Sequence, residues 1–144
     1  MSNTAQDLQR FVDAQAGLYE QALAEIRRGR KTSHWMWFVF PQLAGLGSSP
    51  TARFYAIASL DEARAYVAHP VLGPRLRACA EAVAALAGRP AREVFGHPDH
   101  LKLRSSLTLF EVADPASDVF GRALDAVCDG RRDETTLRML GGGT

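Results

Sequence analysis

Residues 33–42 read SHWMWFVFPQ, and the fold class turns on whether this run is a strand or a helix. Both tryptophans of the chain fall in it, beside two phenylalanines, a methionine and a histidine. Aromatic and β-branched types suit a buried strand as well as a helix. A strand needs a partner, however, and no other segment offers alternating apolar residues with a hairpin turn. The run is therefore read as a short helix, capped by Ser33 and stopped by Pro41, with His34, Trp37, Phe38 and Pro41 on one face.

Outward from it, apolar residues recur at helical spacing nearly everywhere. Toward the N-terminus, Leu8, Phe11 and Val12, then Tyr19, Ala22, Leu23 and Ile26, mark a core-facing stripe. Gly17 divides this stretch into two helices, and Gly29 caps the second, with Arg27 and Arg28 in the last turn, where cations suit the helix dipole. Toward the C-terminus, Ser59 and Glu62 form a capping box. The helix it opens buries Ala63, Tyr66 and Val67 and stops near His69-Pro70. The next carries Leu72, Leu76, Cys79, Val83 and Leu86 on one stripe and ends at Gly88. Pro90 starts a short turn through Val94 and Phe95, and Pro98 opens a longer helix through Phe110. Val119, Phe120, Ala123, Leu124 and Val127 line another, and Asp133 caps a last one holding Leu137 and Leu140. The pattern predicts an all-α fold: one compact domain over 1–144, an ordered core over about 6–140, a Gly-rich C-terminal tail, and seven to nine short-to-medium helices. No sheet larger than an isolated bridge is expected.

Composition narrows the function classes. The chain has 144 residues, enough for a core without metal or disulfide staples. A formal net charge of +1 supplies no general attraction to nucleic acid or to an anionic membrane. The longest apolar run, HWMWFVF, is far short of the roughly 20 residues of a membrane span. The N-terminus MSNTAQDLQR has no apolar signal core. Cys79 and Cys128, both on apolar helix faces, read as buried reduced thiols of a soluble cytoplasmic protein. His97 and His100 lack a third ligand at metal spacing, so neither metal nor cofactor is assigned.

Three stretches could carry chemistry. In residues 33–42, Met36, Phe38, Val39 and Phe40 read as core. His34, Trp35 and Trp37 each carry a polar atom that needs a partner when buried, and an aromatic floor with polar tips also suits a flat ring such as a nucleobase. The stretch DHLKLRSSLTLF, residues 99–110, is apolar on more than one side yet carries Lys102, Arg104, Ser105, Ser106 and Thr108. Its cations either snorkel to the surface or hold a phosphate or carboxylate in a cleft. The basic run Arg27-Arg28-Gly29-Arg30-Lys31 reads as a solvated helix end. Asp13 and Glu111 are possible acid/base groups, and neither differs from an ordinary surface carboxylate.

RFVDAQ (10–15), SHWMWFVFPQ, GLGSS, RFYAI (53–57), HPVLGPRL (69–76) and KLRSSLTLF (102–110) together resemble a family of uncharacterised bacterial and fungal domains, over almost the whole chain. Some members carry the label calpastatin, although nothing here resembles a disordered protease-inhibitor repeat. The resemblance implies a mainly α-helical fold. The family motifs fall on Arg10, Phe11, Ala14, Gln15, His34, Trp35, Trp37, Phe38, Pro41, Gln42, Tyr55, His69, Pro70, Lys102, Ser105, Ser106 and Thr108. Leu107 stands where methionine is expected, a mild apolar exchange. A fainter similarity runs to the NADAR domains, helical proteins linked to ADP-ribose and N-glycoside chemistry.

Two functions compete. One is a small-molecule site for a nucleotide, ADP-ribose or sugar-phosphate-like ligand, with N-glycosidase-like chemistry as its enzymatic form. There Trp35 or Trp37 would stack a base, Lys102 and Arg104 would hold phosphate, and Gln15, His34, Gln42, Ser105 and Ser106 would supply hydrogen bonds. No general acid or base is identified. The other is a non-catalytic module that docks a protein through the aromatic segment. Either way Leu103, Leu107 and Phe110 need an apolar partner, and the largest on offer is the aromatic run, so the two stretches are expected to meet around one cleft.

Overall fold

The computed structural model describes residues 4–141 and is all-α there, with one isolated parallel bridge between Leu43 and Ile57. Ten helices follow in chain order: α1 (Thr4–Gln15), α2 (Tyr19–Arg28), α3 (Met36–Val39), α4 (Pro50–Phe54), α5 (Leu60–Ala68), α6 (Leu72–Ala84), α7 (Ala91–Phe95), α8 (Asp99–Ala113), α9 (Val119–Val127) and α10 (Glu134–Gly141). The count exceeds the seven to nine expected because of α4, a five-residue turn that Ser49 caps by accepting the N–H of Ala52. The glycine tail beyond residue 141 lies outside the described residues.

Local signals set most helix ends. Ser59 Oγ accepts the Glu62 N–H at 3.2 Å, and the Glu62 carboxylate reaches back to the Ala58 N–H at 2.7 Å. Asp133 accepts from the Thr136 N–H at the start of α10, and Gly29 closes α2 with a φ of 79°. His69 Nδ1 accepts the N–H groups of Val71 and Leu72, which gives the HPVLGPRL motif a capping role. Gly73 in the same motif lies where any Cβ would collide with the Val67 carbonyl oxygen, so α5 and α6 cross at a distance only glycine permits. Arg10 donates to the carbonyls of Phe54 and Ala56, each at 2.8 Å, and ties α1 to the segment after α4.

The aromatic segment is held differently from the expected Ser33 cap. The α3 helix spans a single turn, and its N-cap is Trp35, whose side chain makes no capping bond. Ser33 instead donates its hydroxyl to Glu25 at 2.6 Å. Glu25, 1% exposed, also accepts from the Thr32 N–H, the Ser33 N–H, the Trp35 indole and Gln21. Burial alone would raise the pKa of this carboxyl; the hydrogen bonds from Ser33, Thr32 and Trp35 outweigh it and hold the group well below the usual carboxylate range. Trp35 is thereby sealed in the core, edge-on to Phe95. Lys31, read as part of a solvated helix end, is nearly buried: its ammonium contacts Asp99 at 2.8 Å and the Ser33 carbonyl at 2.6 Å.

The α8 helix is the hub, packed against α3, α5, α7, α9 and α10, with residues 105–110 all buried. Both cysteines are unbonded; Cys79 is buried, whereas Cys128, expected to be so, is only half-buried because it closes α9 at its C-cap. Burial pushes the Cys79 thiol up to about 12 and Cys128 up to about 11.

Two outcomes follow. A carboxylate whose pKa is lower folded than unfolded stabilises the fold fully above its unfolded pKa of about 4.3, and that contribution fades as the pH falls below it. Glu25→Gln should lower unfolding stability by about 3 kcal/mol at neutral pH. It should also flatten the loss of stability under acid, both read by urea denaturation from pH 7 down to about 3. Gly73→Ala should destabilise by about 1–3 kcal/mol although alanine is the better helix former, because the Val67 carbonyl must move; thermal unfolding measures it.

Candidate functional site

The aromatic segment and α8 meet. Lys102 Nζ lies 5.3 Å from the ring centre of Trp37 and 3.5 Å from Asp99, the carboxylate that also holds Lys31. Trp37, Gln42, Gly47 and Lys102 share a narrow crevice with almost no free volume. Beside it an open groove of about 320 Å³ is lined by Gln42, Leu46, Gly47, Lys102, Arg104, Ser105, Asp133 and Thr135, among others. A wider depression of about 520 Å³ adjoins it, sharing Arg104, Asp133 and Thr135 and adding Arg131, Arg132 and Glu134.

The far wall is positioned by a hydroxyl. Thr108 Oγ1 donates to the Arg104 carbonyl at 2.7 Å and accepts the Asp133 N–H at 3.0 Å, which fastens the start of α10 to α8. Arg132 adds a two-pronged contact to Glu111 at 2.6 and 2.9 Å. Glu111 is thus occupied structurally, and Asp13 lies exposed on α1.

The charge along the groove is uneven. Asp99 partly neutralises Lys102, while one Asp133 oxygen takes the Thr136 N–H and hydroxyl. Arg104 has no such partner: its Nε is buried without a hydrogen bond, and its guanidinium forms no ion pair among the described residues. A half-buried cation without an ion-pair partner suits an anion entering the groove.

Of the residues proposed from sequence, Gln42, Lys102, Arg104 and Ser105 come together, with Trp37 behind Lys102. Four do not. Gln15 is core, donating to the Phe38 carbonyl at 2.7 Å and to Tyr66 at 3.1 Å. Trp35 is fully buried on Glu25 and offers no stacking face. Ser106 is fully buried with its hydroxyl unpartnered, away from the groove, because it turns into the helix packing. His34 is exposed and lines neither hollow. Asp133, Thr135 and Arg131 are not among the residues that the sequence singles out for the site, where Asp133 is read only as the cap of the last helix.

The fold is shared with a known structure. The crystal structure of the conserved hypothetical protein Rv1873 from Mycobacterium tuberculosis superposes with a TM-score of 0.90 at 52% sequence identity, covering 94% of this chain and 96% of that one. No curated protein matches. A family model described as a protein of unknown function covers residues 5–140, and the chain therefore belongs to the DUF1810 family.

Proposed function

We propose that the groove beside α8 binds a small anionic ligand of the nucleotide, ADP-ribose or sugar-phosphate kind. The observation that carries this reading is the unpartnered, partly buried guanidinium of Arg104. Arg104 anchors the phosphate, Lys102 adds charge, and Gln42 and Ser105 supply neutral hydrogen-bonding groups on the same wall. Base stacking falls to Trp37 alone, whose ring Lys102 partly covers. An N-glycosidase-like reaction would need a general acid or base within reach of the scissile bond. Asp133 is the carboxylate that lines the groove, so such a step would draw on it. The rival reading, a protein-docking aromatic patch, has little surface to work with: Trp35, Met36, Phe38, Val39 and Phe40 are all buried.

The test is calorimetric titration with ADP-ribose, ADP and ribose 5-phosphate, beside thermal shifts. At least one should bind, and Arg104→Ala should weaken it by about tenfold or more, the value of a charged hydrogen bond. Lys102→Ala should weaken it less while leaving the melting temperature nearly unchanged, since its partners are one carboxylate and one ring face. Absence of binding for all three ligands, or binding that Arg104→Ala leaves intact, would sink the reading.

A further inference from the structure

Most charged arginine contacts in this chain are internal. Arg122 is held by Glu81 and Asp118, Arg77 by Asp114, and Arg132 by Glu111. Among the described residues the guanidiniums of Arg92, Arg104 and Arg131 have no hydrogen-bond or ion-pair partner, which is also true of Arg27, Arg28, Arg30 and Arg53; what sets the three apart is their common place. All three line one hollow of about 190 Å³ between the start of α7, the first half of α8 and the end of α9. Its lining contains a single carboxylate, Asp129, whose backbone sits in the left-handed region at a φ of 55° and which pairs with none of them. The rest is largely apolar, with Ala91, Leu101 and Val127.

His100 shares this hollow and reports its field. Its ring is held to the Gly96 carbonyl at 3.2 Å, and its pKa is lowered by burial first, with His97, Arg92 and Arg104 adding to the effect. The imidazole is thus disfavoured as a cation in a place already rich in positive charge. Three guanidiniums lining one hollow with a single carboxylate among them raise the local potential, and the apolar part of the wall strengthens it.

We propose that this hollow is a second binding site, for an organic anion: one phosphate or carboxylate head carried on a small apolar body. The three arginines hold the head, and the apolar lining covers the body. The volume is below the roughly 300–1,000 Å³ of sites for drug-sized ligands, so the occupant is about the size of one ring with its anionic group. The hollow shares Arg104 and Leu101 with the groove and Arg131 with the depression beside it; Arg92 lines neither of those, so its variant tests this site separately from the groove reading.

Amide NMR titration of the full chain with phenyl phosphate and with benzoate tests it. The expected result is saturable shifts at Arg92, Cys128, Asp129 and Arg131 with either probe. Arg92→Ala and Arg131→Ala should each weaken phenyl phosphate by about tenfold. Both residues are exposed apart from the hollow, so the variants should keep the wild-type spectrum elsewhere. Lys102→Ala, which alters the wall of the groove but no residue lining this hollow, should leave the affinity unchanged, and inorganic phosphate should bind more weakly than its phenyl ester. The proposal is overturned by an absence of saturable shifts up to about 10 mM probe, a concentration at which even a weak anion site would fill. Equal shifts from sodium chloride at the same ionic strength would also overturn it, as would affinity that survives both arginine variants. Inorganic phosphate binding as tightly as phenyl phosphate would remove the apolar body from the proposal.

Discussion

The Glu25 carboxylate takes five donors on two oxygens, and much of the molecule is arranged by that fact. Residues 30–35 form no regular structure, so their N–H groups have no helix to satisfy them. Thr32 and Ser33 give theirs to Glu25, and Arg30 and Lys31 give theirs to the carbonyls of Glu25 and Val94, which lets this stretch pass close to the core. The indole of Trp35 is caught by the same oxygen, and its ring then meets Phe95 of α7. Lys31, fixed over the Trp35 ring, reaches Asp99 at the start of α8, and Asp99 in turn touches Lys102. A buried charge thus orders a relay from α2 to the edge of the groove. Its cost of desolvation is offset because every lone pair it presents is used.

The second constraint is the composition of α8. A helix contacted by five others cannot keep a single apolar stripe, and its buried face includes Ser105, Ser106 and Thr108. Small hydroxyl residues let neighbours approach closely, but each hydroxyl needs a partner. Thr108 finds two, whereas Ser106 finds none. Leu101 marks the one side left open, at 39% exposure, and both proposed sites lie along that side.

Features that depend on neighbours three or four residues away were legible in the sequence. The Ser59–Glu62 box, the Gly29 cap and the Asp133 cap are of this kind, and nine of the ten helices follow from such signals and from periodicity. The tenth, α4, has its own local signal in Ser49-Pro50, but five residues are too few for a periodic apolar stripe. Glu25 was not legible, because its partners lie seven to ten residues away in an irregular segment. That gap also hid which tryptophan is core: with α3 only one turn long, a helical wheel drawn through residues 33–42 misplaces Trp35 and His34. The meeting of Lys102 with Trp37 was legible because the aromatic run needed apolar cover. The wall made by Asp133 and Thr135 was not, since it rests on a bond between residues 25 apart.

That bond has an evolutionary reading. Thr108 holds the start of α10 through the main-chain N–H of residue 133, which every amino acid except proline possesses. The side chains at 134 and 135, both exposed, contribute nothing to the fastening. The rim facing Arg104 can therefore change its polarity, size or charge without moving its backbone. A lineage could retune what the groove admits by drift at these two positions while the framework, and the cation at its centre, stayed the same.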